Sequence, residues 1–228
     1  MGTIHNKVIS PNLVHFVPGF ETTLMIGGGG YSYPKDYLRY FKNATIDVVE
    51  IDPGMTRMAR QYFNLKDNPR MHIFHEDGRV FLQKRKRYYD VIILDAIKSF
   101  YSIPFHLVTK EAVQLMYDRL NADGALFVNM IGSLGGDNGR SFRAFYATCK
   151  TIFPQIYVFA VYYRNNPNVI QNIMLVCLKS EGSVQMESTN EEFSRYFQDN
   201  LIEEDIETDM PIFTDDFAPV DQYNLNML

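Results

Sequence analysis

The feature that most limits the fold of this 228-residue chain is a regular alternation of two hydrophobic periods. Short apolar runs recur, and each is followed by a stretch whose apolar residues have helical spacing. TTLMIGG (22–28), TIDVVEID (45–52), MHIFHED (71–77), YDVIILDA (89–96) and ALFVNMI (125–131) read as strands. Helices are predicted over 34–41, 53–63, 79–87 and 109–120. Pro34 lies near the first turn of its helix, and Asp52 stands as N-cap before Pro53 at the first helical position. Residues 121–124 (NADG) read as a turn. Strand–helix alternation of this kind gives a parallel sheet with helices on both faces. The near-continuous apolar runs suit strands buried on both sides.

The rest of the chain changes pattern. A helix over 141–152 precedes two apolar strands, 155–163 and 169–179, separated only by Arg164–Asn168. So short a link favours an antiparallel hairpin. The fold expected is therefore α/β: a doubly wound, mostly parallel seven-stranded sheet with a terminal antiparallel hairpin. A last helix is predicted over 191–199, and 214–224 is read as an ordered loop. Residues 1–21 form a lead-in, and 22–228 form one domain. With 46% hydrophobic and 21% charged residues, the chain can build a core and does not have the composition of a disordered protein.

A net charge of −5 argues against a nucleic-acid partner. The basic run KRKR (84–87) reads as a solvated helix end. Cys149 and Cys177 read as buried thiols of a reducing compartment. No apolar run approaches the ~18 residues of a membrane span, and no signal pattern opens the chain. A cytoplasmic location is expected, with no membrane segment in this chain.

Four features carry chemistry. The turn Gly27–Gly30 falls where the first strand meets its helix, letting the backbone approach a ligand beside helix amides. Glu50 follows about twenty residues later at the end of the second strand, where a carboxylate accepts the hydroxyls of a ribose. Asp77 and Gly78 follow the third strand. Asp77 suits both an N-cap and a bond to an adenine amino group. Asp95 ends the fourth strand, in the same crevice, where it can hold an ammonium or act as a general base. His72 and His75 read as structural, and no metal site is expected.

Taken together, LMIGGGG, VVEIDPGM, HEDGRVFL and YDVIILDA resemble the spermidine synthase (polyamine aminopropyltransferase) family, whose fold is that of class I S-adenosylmethionine methyltransferases. SIPFHLVTKEA (102–112) and TDDFAPVD (214–221) look closer to a bacterial branch often fused to transporter-like segments. The resemblance implies S-adenosylmethionine or its decarboxylated form as cofactor. Gly27, Gly28 and Gly29 then face the nucleoside, Glu50 the ribose, and Asp77 and Gly78 the adenine. Asp95 becomes the first acid of an Asp-x-x-Asp catalytic motif. It implies polyamine biosynthesis and a small-molecule acceptor, and it leaves open a homodimer and an origin in a membrane-fused protein. It also makes residues 1–21 the remnant of an N-terminal β domain.

Two positions depart from the family. Gly30 stands where an acid is expected, and Lys98 replaces the second acid of the catalytic motif. Polycationic acceptors need carboxylates, so both changes count against strict polyamine synthesis. Methyl transfer and a non-catalytic nucleoside-binding domain therefore remain alternatives. A dinucleotide oxidoreductase fits less well, because Ser32 takes the place of the third glycine of its fingerprint.

Overall fold

The computed structural model describes residues 14–96, 104–161, 165–182, 184 and 191–224. In chain order its elements are β1 (Thr22–Ile26), α1 (Ser32–Tyr40), β2 (Thr45–Val49), α2 (Pro53–Tyr62), β3 (Met71–Phe74), α3 (Gly78–Lys84) and β4 (Tyr89–Leu94). There follow α4 (Lys110–Arg119), β5 (Leu120–Gly132), α5 (Arg140–Lys150), β6 (Gln155–Ala160), β7 (Gln171–Leu178), α6 (Glu191–Asn200) and α7 (Val220–Asn224). The strands form one seven-stranded sheet in the order β3-β2-β1-β4-β5-β7-β6. β1 to β5 run parallel, while β7 is antiparallel to both β5 and β6. This is the doubly wound sheet with a closing hairpin that the alternation predicts.

Register fixes the site. Ile26 lies opposite Val49 on one side and Leu94 on the other, and Val49 lies opposite Phe74. The residues after these strand ends therefore leave the sheet at one level, and the order in which strands are added reverses between β1 and β4. A crevice opens there because neighbouring connections run to opposite faces.

Alternate strand residues fill two cores. Leu24, Ile26, Ile92 and Leu94 pack with Phe81 of α3, Val113 of α4 and Phe145 of α5. Met25, Val48, Ile93 and Phe127 pack on the other face with Tyr37 of α1, Ala59 of α2 and Phe16. Residues 14–16 are helical, and Phe16 and Val17 are buried, so this part of the lead-in is built into the second core. α2 starts as expected: Asp52 Oδ1 accepts from Gly54 N at 2.7 Å, with Pro53 in the first turn.

Three details differ from the sequence reading. β5 begins at Leu120, before the expected turn. Tyr89 pairs with Leu120 and Val91 with Ala125, so residues 121–124 bulge out of the ladder. Gly124 makes this possible, since a Cβ there would lie 2.9 Å from the Asp90 carbonyl oxygen. Residues 220–224 are helical rather than loop. Val220, Tyr223 and Asn224 turn inward at helical spacing, and Ser141 Oγ donates to Asn224 Oδ1 at 2.6 Å. The third strand lies at the sheet edge rather than in the core. His72 on it is half-exposed, and its ring nitrogen meets Asp47 Oδ1 at 2.8 Å.

Candidate functional site

The Gly27–Gly30 turn is shaped by three different constraints. Gly27 has φ 100°, and a Cβ on it would lie 2.5 Å from the Asp95 carbonyl oxygen. Backbone cannot yield by that much, so the position excludes side chains. A Cβ on Gly28 would lie 2.7 Å from the ring of Tyr31. Gly29 has φ 50° and open space in front of it. Gly30 is different, because the nearest atom to its ideal Cβ is Ser32 Oγ at 4.0 Å. A Cβ meets no clash at this position.

Tyr31 holds the turn from behind. It is fully buried yet sits at φ 56°, in the left-handed region that non-glycine residues avoid. Its hydroxyl and Thr56 Oγ1 lie 2.6 Å apart, and Thr56 Oγ1 in turn meets His75 Nε2 at 2.9 Å. Burial raises the phenol pKa, partly offset by the Thr56 bond. The ring fills the space that Gly28 leaves empty.

Glu50 is 1% exposed. Its Oε2 accepts from Gly28 N at 2.9 Å and Gly29 N at 3.0 Å, and its Oε1 accepts from Asp52 N at 3.0 Å. A buried carboxylate needs such donors to remain there. Glu50 therefore ties β2 to the glycine turn as well as facing the crevice.

Asp77 caps α3, with Oδ1 accepting from Arg79 N at 2.9 Å and Val80 N at 3.0 Å. Its Oδ2 meets His106 Nε2 at 2.9 Å. Gly78 lets α3 approach β1 closely, since a Cβ there would lie 2.5 Å from the Ile26 side chain. Asp95 N donates to Ile26 O at 3.0 Å, and Asn129 Nδ2 donates to Asp95 Oδ1 at 3.1 Å.

A cavity of about 180 Å3 opens among these groups, and Gly27, Glu50, Asp77, Gly78 and His106 all line it. Gly28 and Gly29 join through their bonds to Glu50, whereas Asp95 meets Gly27 through its backbone carbonyl and is not among the residues lining the cavity. Lys98 lies outside the described residues. Among the described residues, no group of three or more His, Cys, Asp or Glu could hold a metal ion.

His106, Tyr31 and a clamp that also holds the His106 carbonyl escape a reading of the sequence. In the clamp, Arg79 donates to both Asp215 oxygens at 2.7 and 2.5 Å, and Thr109 Oγ1 donates to Asp215 Oδ1 at 2.7 Å. The Arg79 guanidinium holds the Asp215 carboxyl below its usual range. The segment TDDFAPVD was noticeable as a motif, but nothing local pairs residue 215 with residue 79.

This strand order, with an acid after β2 facing a glycine turn after β1, defines a class I methyltransferase-like fold. The chain belongs to the spermine/spermidine synthase domain family, whose model matches residues 7–188. It is 27% identical over 216 residues to a polyamine aminopropyltransferase of Vibrio vulnificus, covering 90% of this chain and 70% of that protein. It is 30% identical over 171 residues to one of Streptococcus uberis, covering 72% of this chain and 59% of the relative. To the Clostridium beijerinckii enzyme it is 31% identical over 156 residues, 66% of this chain and 54% of that protein. The chain thus spans little more than half of several relatives.

Among solved structures, spermidine synthase from Thermotoga maritima superposes with TM-score 0.65 at 19% identity, over 99% of this chain and 75% of that one. Human methyltransferase-like protein 13, solved in complex with SAH, gives TM-score 0.62 at 25% identity, over 86% and 87%. No helix among the described residues is long and apolar enough to cross a membrane.

Proposed function

We propose that this chain binds S-adenosylmethionine or its decarboxylated form and transfers an alkyl group, aminopropyl by family, from it to a small-molecule amine. The observation that carries this reading is Glu50, a buried carboxylate bonded to the glycine-turn amides and forming a wall of the cavity that Asp77 and Gly78 also line. A carboxylate offers about four lone-pair sites, and three accept backbone N–H groups here. A ribose diol can donate both hydroxyls to this carboxylate if one glycine amide yields its place. Gly29, with open space before it, is the amide suited to do so.

In this reading Glu50 takes the ribose, and Asp77 with Gly78 takes the base. Gly27 keeps the backbone against Asp95, so the nucleoside tail can reach the fourth strand. The sulfonium compound supplies a carbon activated for displacement. The amine lone pair forms the new N–C bond, the C–S bond breaks, and a thioether leaves. Asp95 accepts the proton that the amine loses. Orientation of the two reactants supplies much of the rate.

Methyl transfer is the second reading. It is favoured by Gly30, where no acid meets a polyamine although a side chain fits, and by the likeness to human methyltransferase-like protein 13. A domain that binds the nucleoside without turnover is the third. Thermal shifts with S-adenosylmethionine, its decarboxylated form, methylthioadenosine and NAD test the binding. A ligand at ~100 times its dissociation constant stabilises by about 2.7 kcal/mol. A shift with NAD alone would overturn the proposal. Product analysis with diamine acceptors then separates aminopropyl transfer, methyl transfer and binding alone.

A further inference from the structure

Both oxygens of Asp77 are engaged, but in different ways. Oδ1 caps α3 through two backbone N–H groups. Oδ2 faces the Nε2 of His106, which lies 29 residues further on in a short 3-10 turn (Phe105–Leu107). An ionised carboxylate only accepts, so Nε2 carries the proton and donates. The Asp77 carboxylate could otherwise pivot about its cap. With a donor on each oxygen its plane is fixed, and Oδ2 retains a lone pair. Asp77 and His106 both line the cavity, on the side of Gly78.

We infer that His106 is a positioning residue that sets base specificity: it holds Asp77 Oδ2 as a fixed acceptor for the 6-amino group of an adenine nucleoside, against a 6-oxo purine. The inference rests on the nucleoside reading above. A 6-amino group donates to Oδ2. A 6-oxo group would set a second acceptor against it, and a fixed carboxylate has no pivot by which to escape. A loose carboxylate would turn aside and discriminate less.

Calorimetric titration of the 228-residue chain with methylthioadenosine and methylthioinosine tests this. The wild type should prefer the 6-amino compound by at least about tenfold, the range of one buried hydrogen-bond mismatch. His106→Phe keeps a ring in the wall but removes the donor, and the preference should fall below about threefold. His106→Gln retains an N–H donor and should keep most of it. Melting curves confirm that each variant is folded.

The readout is the ratio of the two affinities, which loss of wall packing alone would not change. An undiminished preference in His106→Phe, or equal weakening of both nucleosides in both variants, overturns the role of His106. A wild type that binds both nucleosides equally overturns it too, and leaves the nucleoside site standing. If neither nucleoside binds the wild type, the proposed function itself fails and the inference with it.

Discussion

Replacing Glu50 by Gln tests the joint of the site, because Glu50 is both a structural acceptor and the expected ribose ligand. The substitution keeps the shape and removes the charge. If the amide oxygen keeps the place of Oε2, it still accepts from Gly28 N and Gly29 N. The NH2 then replaces Oε1 and points a donor at the Asp52 N–H, which now lies 3.0 Å from an acceptor. One charge-assisted bond is lost, worth about 1.5–3 kcal/mol, and two others fall from charged to neutral strength. The sum is about 2–4 kcal/mol, reduced because Asp52 N is only part-buried and water can reach it. Urea unfolding should show a lower midpoint with an unchanged slope. Methylthioadenosine should no longer stabilise the variant, since an amide offers the ribose fewer acceptors. A stability loss under about 0.5 kcal/mol would refute the argument that these three bonds anchor the glycine turn. Unchanged nucleoside affinity would refute the ribose assignment separately. Glu50→Ala is the poorer test, because it leaves three backbone donors without their acceptor and disturbs stability together with binding.

Tyr31→Gly should relieve left-handed strain of roughly 1–2 kcal/mol but delete a buried ring worth about 3–5 kcal/mol. A net loss of about 2–3 kcal/mol is expected, and a stabilised variant would show that strain outweighs packing. At Gly30 an added Cβ meets no atom closer than Ser32 Oγ at 4.0 Å, so Gly30→Asp should change stability by less than about 0.5 kcal/mol. If the missing acid limits polyamine binding, affinity for a diamine should rise measurably by calorimetry. Burial alone would raise the Asp90 carboxyl, but bonds from Glu21 N, the Asn121 amide and Thr22 outweigh it and hold its pKa below the ordinary value. A lowered folded pKa gives stability above the unfolded value that is lost as pH falls through the folded one. Asp90→Asn should therefore cost about 1–2 kcal/mol at neutral pH, with its gap to wild type closing as pH falls below ~3.9. A gap that stays constant down to pH ~2 would remove the linkage. Asp215→Ala should free Arg79 and Thr109 and lower the melting temperature, an effect that high salt reproduces in part.

Local signals carried well from sequence to structure. Asp52 before Pro53 and Asp77 before Gly78 announce helix starts, and both side chains accept the expected backbone N–H groups. The apolar runs identify strands because both faces of the sheet are covered. The glycine turn was legible as a turn, but not its reasons. That Gly28 makes room for Tyr31, and that Tyr31 sits at positive φ, depends on Thr56 and His75 arriving from other elements. The helix at 220–224 was missed because its polar residues hide the inward spacing of Val220 and Tyr223. His106 sits in a segment with no period, and its partner is 29 residues away, so no window reveals it.

The contact between Arg79 and Asp215 joins residues 136 apart in the chain. Closing so long a loop is entropically unfavourable until the intervening elements have formed. Contacts of this span slow folding and are made late. The glycine turn, Glu50 and Asp77 all belong to the first four strands and their connections. Their clamp, by contrast, must wait for the hairpin and the segment beyond it. During synthesis on the ribosome the first four strands would thus exist for a time before the Arg79–Asp215 contact forms. In that interval the first turn of α3 would lack its tie to the segment beyond the hairpin.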